Sequence, residues 1–135
     1  MIFTGLVLKF VDAIKGADVE AIYGLMSDDH RFIDSDGPEI SGRDAMREGW
    51  VGYFSMVPDY KIEVQETLSD KQTVVLIGTA TGTYSPDGKL NPDDRWNVPA
   101  AWRAVVKGDR IAVWQVFVNP EPILQIMRRH GGGTA

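Results

Sequence analysis

The stretch densest in groups that could do chemistry is SDDHRFIDSDG, residues 27–37, where Asp28, Asp29, His30, Arg31, Asp34 and Asp36 fall within nine positions. A carboxylate set against apolar surface loses hydration, its pKa rises, and it becomes a usable general base. If RFID is extended, Phe32 and Asp34 share one face, with His30 on the same parity. Asp34 beside Phe32 is therefore the candidate base for drawing a proton from carbon next to a carbonyl. The alternative is a solvated rim carboxylate or a turn cap. His30 is the second candidate catalytic residue, able to orient Asp34 or relay a proton. It would lie about 13 Å from residue 34 at roughly 3.3 Å per extended residue, so contact needs a bend. Otherwise it is an exposed histidine at a helix end. Asp28 and Asp29 read as the solvated end of that helix, and Asp36–Gly37 as a turn. His130 lies in the tail, where no role is expected of it.

Aromatic residues supply the second signal. Trp50 and Phe54 are one helical turn apart and share a face, with Tyr53 adjacent. Trp114, Val116 and Val118 share one strand face; Val113, Gln115 and Phe117 share the other. Four tryptophans in 135 residues exceed the needs of a small core, and an indole N–H seeks a partner. A pocket lined by Phe10, Phe32, Trp50, Tyr53, Phe54, Trp102, Trp114, Val116 and Val118 would suit a flat apolar molecule. Trp96 is expected outside it. No metal site is expected: one histidine with Asp28, Asp34 or Asp36 is a poor zinc or iron set. SPDGKLNPDD lacks the spacing of a calcium loop. No cofactor is expected either.

These groups must be held by a small frame. The chain length fits one domain, read as residues 1–130 with 131–135 as a flexible tail. The net charge of −5 and a pI near 4.9 argue against nucleic acid as a partner, since phosphate binding needs clustered cations. Arg128–Arg129 is the only basic doublet and reads as a solvated helix end. The absence of cysteine excludes disulfides and thiolate chemistry and fits a reducing compartment. MIFTGLVLKF lacks a basic leader and a cleavage site and is too short to span a bilayer. A cytoplasmic protein with no membrane partner is expected.

Phe3, Leu6, Val7, Phe10, Val11 and Ile14 recur at helical spacing up to Gly16. Asp18 caps a second helix to about Met26. A third helix is expected over about 42–57, with Ser41 as N-cap and Pro58 as its stop. From residue 60 the period becomes two. YKIEVQETL and TVVLIGTATGTY read as strands turned by SDKQ, with Gly78 and Gly82 marking bends or bulges. RWNVPAAWRAVVK and RIAVWQVFV flank GD as a hairpin. NPEPILQIMRR reads as a closing helix. The order predicts an α+β fold with helices on one face of an antiparallel sheet.

FVDAIKGADVEAIYGLMSDDHRFID, ISGRDAMREGW, GDRIAVWQVFVNP and PILQI, in this order and spacing, resemble the nuclear-transport-factor-2-like superfamily, nearest its SnoaL-like branch. The resemblance spans about residues 3–129. It implies a cone: a curved antiparallel sheet wrapped around three N-terminal helices, enclosing an apolar pocket. Relatives include ketosteroid isomerases, polyketide cyclases, epoxide hydrolases and modules without chemistry, so the fold leaves function open. By resemblance Asp34 matches the proton-shuttling aspartate of ketosteroid isomerases. Their oxyanion donors correspond to Phe10 and to Ala100 or Ala101, which cannot donate. The epoxide-hydrolase triad falls near Gly78, Ala80 and Val116, and the cyclase aspartate at Val116. A donor could come from Tyr23, Tyr53, Asn97, Arg103 or Gln115.

The expectation is a cofactor-free isomerase, cyclase or dehydratase using Asp34 on a flat hydrophobic carbonyl compound. A binding module without turnover and a pure association domain are the alternatives. Val113 and Phe117, on the sheet face that no helix covers, predict a homodimer.

Overall fold

The computed structural model describes residues 2–131. Most of the expected tail, residues 132–135, therefore lies outside the described residues. Helix α1 (Ile2–Lys15) and helix α2 (Val19–Leu25) are joined at Ala17, whose φ is 51°. Asp18 caps α2, its Oδ1 accepting from Ala21 N at 3.1 Å. The α1 stripe is the core contribution foreseen from its spacing: Val7, Phe10 and Ile14 are 0% exposed.

The chain turns extended at Met26 and runs as strand β1 (Met26–Ile33), then β2 (Glu39–Ser41). Asp28 and Asp29 are thus on a strand, not at a helix end. An irregularity in the β1–β6 register between Met26 and Arg31 leaves both in solvent. A bulge does this by breaking the two-residue alternation, so two adjacent charges can face outward. Asp28 pairs with Arg43 at 3.1 Å and Asp29 with Lys107 at 2.9 Å.

Helix α3 (Arg43–Met56) follows. Its N-cap is Gly42, without a side-chain cap bond, and Ser41 instead closes β2. Gly42 has φ 94°, a conformation that favours glycine over serine at that position. Strands β3 (Lys61–Asp70), β4 (Thr73–Thr83), β5 (Arg95–Lys107) and β6 (Arg110–Val118) form the meander, and helix α4 (Glu121–Arg129) closes the chain. The β4–β5 connection carries a short 3₁₀ turn, Pro92–Asp94.

The six strands make one sheet in the order β2-β1-β6-β5-β4-β3. Neighbours are antiparallel except β1 and β6, which run parallel. That pairing follows from the helices: β1 belongs to the N-terminal half and enters the sheet beside the last strand. Gly78 lies opposite Val64, where the β3–β4 register shifts, so the expected bulge is real. Alternation along β5 is clean: Trp96, Val98, Ala100, Trp102, Ala104 and Val106 all point inward and are buried. The opposite face of the sheet keeps large apolar groups in solvent, with Leu68 51%, Ile77 37% and Phe117 50% exposed. Among the described residues no helix is long and apolar enough to cross a membrane.

Candidate functional site

Asp34 is the first residue past β1. Its backbone closes the β1–β2 turn: Asp34 N–H donates to Pro38 O at 2.9 Å, and Gly37 N–H donates to Asp34 O at 3.1 Å. Its carboxylate accepts from Ser35 N–H at 2.7 Å. The side chain is exposed, yet it lines the mouth of a cavity of about 270 Å³. Asp34 thus borders the cavity from its rim.

The cavity wall comes from seven elements, β2 contributing Ile40. The end of β1 gives Phe32; α3 gives Met46, Gly49, Trp50 and Tyr53; Tyr60 stands between α3 and β3. Ala80 comes from β4, Trp96, Val98 and Ala100 from β5, and Trp114, Val116 and Val118 from β6. Pro120, Ile123 and Leu124 close a further side from α4 and the approach to it. The aromatic rings are in mutual contact. Phe32 meets Trp50 edge-on at 6.4 Å, Trp50 meets Tyr53 at 6.3 Å, Tyr53 meets Tyr60 at 5.0 Å, and Tyr60 meets Trp96 at 6.0 Å. Edge-to-face packing, the geometry of the first three pairs, adds roughly 0.5–1.5 kcal/mol per pair beyond area burial and fixes ring orientation. The result is a preformed aromatic belt.

Of the residues expected in the pocket, Phe32, Asp34, Trp50, Tyr53, Trp114, Val116 and Val118 line it. Four do not. Phe10 is fully buried behind the wall, against Trp114 at 5.0 Å. Trp102 is fully buried and stacks on Trp114 at 6.5 Å, so it is core. Phe54 stacks on the far side of Trp50 at 5.4 Å. His30 is neither an exposed helix end nor a partner of Asp34. It is 0% exposed, 6.2 Å from the Phe10 ring, and its Nδ1–H donates to Ile111 O at 2.6 Å. His30 alternates with exposed Arg31 and shares the inward face of β1 with Phe32, deeper in the core. Among the described residues its Nε2 has no partner, and burial lowers its pKa against the opposing pull of the Ile111 carbonyl and the Asp29 charge.

Trp96 is the converse case, expected outside and found in the wall. The signal was present: residues 96 and 102 have the same parity, so on one strand they face the same way. Tyr60, not singled out as a pocket residue in the sequence, opens the alternating run YKIEVQETL and has the parity of buried Ile62, a signal for an inward face but not for a cavity. The positions that correspond by resemblance to acids and donors in other family members, Ala80, Ala100 and Val116, do face the cavity. They make it less polar.

Two phenols supply donors where Phe10 and Ala100 cannot. Burial pushes the Tyr53 hydroxyl well above the usual 10, with Tyr60, Asp34 and Asp59 adding repulsion. Burial also raises Tyr60; the nearby Trp102 indole pulls the other way without making a hydrogen bond of standard geometry, and the Asp34 charge adds a smaller upward push. Both phenols are therefore neutral O–H donors at pH 7. The buried indole N–H groups of Trp50 and Trp96 also lack a protein acceptor.

His130, from which nothing was expected, anchors α4. Its Nε2 lies 3.0 Å from Asp94 Oδ2, and Arg129 donates to Asp93 O at 2.7 Å. Asp94 is 7% exposed, and the His130 ring meets Tyr84 at 5.3 Å. The contact holds α4, with Ile123 and Leu124, against the cavity.

Comparison with known proteins agrees with this architecture. A family model described as a SnoaL-like domain matches residues 7–114. No curated protein sequence matches the chain. Among solved structures, a provisionally assigned SnoaL-like polyketide cyclase from Shewanella denitrificans superposes with a TM-score of 0.81 at 13% identity, covering 95% of this chain and 98% of that one. A provisionally assigned polyketide cyclase from Xanthomonas campestris gives 0.80 at 19% identity, covering 93% and 96%. A hypothetical protein of ketosteroid isomerase-like fold from Catenulispora acidiphila, solved with trimethylamine, gives 0.76 at 17% identity, covering 89% of each chain. At these identities the likeness is one of fold. The matched segment takes in α1 to β6 save their outer ends, and with it most of the cavity wall, and the chain belongs to the SnoaL-like domain family.

Proposed function

We propose that the chain binds a small, flat, largely apolar molecule in the aromatic cavity, and that Asp34 serves as general base on a carbonyl-bearing occupant. The observation that carries this is the meeting of one carboxylate with an otherwise apolar cavity that also holds two neutral phenols. A base must stand within reach of the proton it takes, and an oxyanion formed beside it needs preorganised donors. Tyr53 and Tyr60 are the donors this reading assigns. No cofactor enters the scheme.

Enolisation can be tested without knowing the natural substrate. Incubated in D₂O with 2-tetralone, the protein is expected to speed deuterium exchange at the α-carbon, read by proton NMR. Asp34→Asn is expected to lower that rate by about 10²-fold or more, the usual worth of a general base. Exchange no faster than in buffer, with the ketone demonstrably bound, would instead favour the non-catalytic binding module. The exposure of Asp34 is the feature that favours that second reading, because a hydrated carboxylate is a weaker base than a desolvated one.

The same proposal includes a homodimer formed through the open sheet face. Ile77, Ala101 and Phe117 are successive partners across β4, β5 and β6, and Leu68 stands opposite Val75 in the neighbouring row. Arg103 and Gln115, joined at 3.1 Å, lie between the apolar groups. A second copy would cover this patch. Sedimentation at micromolar concentration is expected to give a dimer mass, and Phe117→Glu a monomer. A monomeric wild-type chain would rule the dimer out.

A further inference from the structure

We propose that the cavity selects a positively charged occupant: a ligand with a tertiary or quaternary ammonium group seated against the aromatic belt, its charge toward Asp34. The inference rests on the cavity being a ligand pocket, and it does not need Asp34 to transfer a proton.

Charge is the first ground. Among the described residues, Asp34 is the only acidic or basic side chain in the cavity lining. It enters no ion pair among the described residues, whereas the arginines nearby in sequence are engaged elsewhere, Arg31 with Glu39 and Arg43 with Asp28. Among the described residues the cavity therefore has a carboxylate and no cation of its own. The upward push that Asp34 exerts on both Tyr53 and Tyr60 is the same field felt inside. An anionic ligand would meet that repulsion, and a cation would relieve it.

The wall is the second ground. Phe32, Trp50, Tyr53, Tyr60, Trp96 and Trp114 present π-systems to one space. A cation within about 6 Å of such a ring centroid is attracted by the ring quadrupole, most strongly by tryptophan. The degree of alkylation follows from desolvation. A primary ammonium would bring three N–H donors into a wall with few acceptors and leave some unpaired. An alkylated ammonium spreads its charge over methyl groups, sheds water more easily and makes apolar contact with the rings. Asp34, at the rim, can pair with the charge while keeping part of its own hydration.

The test compares two isosteres: phenyltrimethylammonium and the neutral tert-butylbenzene. Each is titrated into the full chain at low ionic strength and followed by tryptophan fluorescence. The ammonium is expected to bind at least about five-fold more tightly. Asp34→Asn, a change at an exposed position that leaves the fold intact, is expected to remove most of that preference and to leave tert-butylbenzene within about two-fold of its wild-type affinity. Equal binding of the isosteres, tighter binding of the neutral one, or a preference that survives Asp34→Asn would each overturn the charge selection and leave the pocket standing. If neither compound binds, the pocket reading falls as well.

Discussion

Gly78→Ala is expected to abolish the native fold. An added Cβ would sit 1.8 Å from Glu63 O and 2.9 Å from Glu63 C, both backbone atoms of β3. No side-chain rotation relieves a clash with a neighbouring strand's carbonyl, so the β3–β4 ladder itself must part. Overpacking into a side-chain core costs about 1–3 kcal/mol. A backbone collision at this distance belongs to the rare class above about 4 kcal/mol. Against a total stability of roughly 5–15 kcal/mol for a domain of this kind, that leaves little or none. Urea unfolding followed by circular dichroism is the measurement, with Gly52→Ala as the control. Gly52 lies in α3 with nothing within 4 Å of its would-be Cβ, and alanine there is expected to stabilise by up to about 1 kcal/mol. A Gly78→Ala protein with a near-native midpoint would mean that the bulge opposite Val64 can relax, against the geometry described above.

That glycine was legible in the sequence because it interrupts a β-rich run for no other reason. The same holds for the helical stripe of α1, the Asp18 cap and the β5–β6 hairpin, all of which depend on local chemistry. What could not be read locally depended on register. Asp28 and Asp29 look like a helix end because charged pairs usually finish helices. They became strand residues because β1 pairs in parallel with β6, more than eighty positions away, and a bulge there accommodates both charges. His30 keeps the inward parity it shares with Phe32, but parity alone does not tell that this position lies deep in the core, against Phe10, rather than at a helix end or near Asp34. The aromatic wall was half legible. Trp50, Tyr53, Trp114, Val116 and Val118 followed from periodicity, but periodicity tells only which residues share a face. It does not separate the depth that lines a cavity (Trp114, Trp96) from the depth that backs it (Trp102, Phe10). The contribution of α4 was invisible because its docking depends on Asp94 meeting His130 across the chain.

His30 leads to the second large effect, a loss of stability in mild acid. The ring is fully buried, its Nδ1–H is committed to Ile111 O, and Nε2 faces no partner. A proton added at Nε2 would place a charge in the core without a counterion, so burial lowers the folded-state pKa below the ordinary 6.5. The unfolded chain then binds the proton first. Stability is full above pH 6.5 and falls as the pH drops below it, by up to about 1.4 kcal/mol per unit, until the folded-state pKa is reached. His130 is the only other histidine and contacts Asp94, so the measurement belongs in a His130→Gln background. Urea unfolding between pH 5 and 7.5 should show the decline there. His30→Leu should flatten it and, at pH 7.5, lower stability by about 1–3 kcal/mol because Ile111 O loses its donor inside the core. The two halves of this result separate burial from hydrogen bonding. A decline that persists in His30→Leu would assign the acid sensitivity to some other group, while a flat profile in the parent would mean that water or a rotated ring reaches Nε2 and that the core is less closed around His30 than its packing against Phe10 implies.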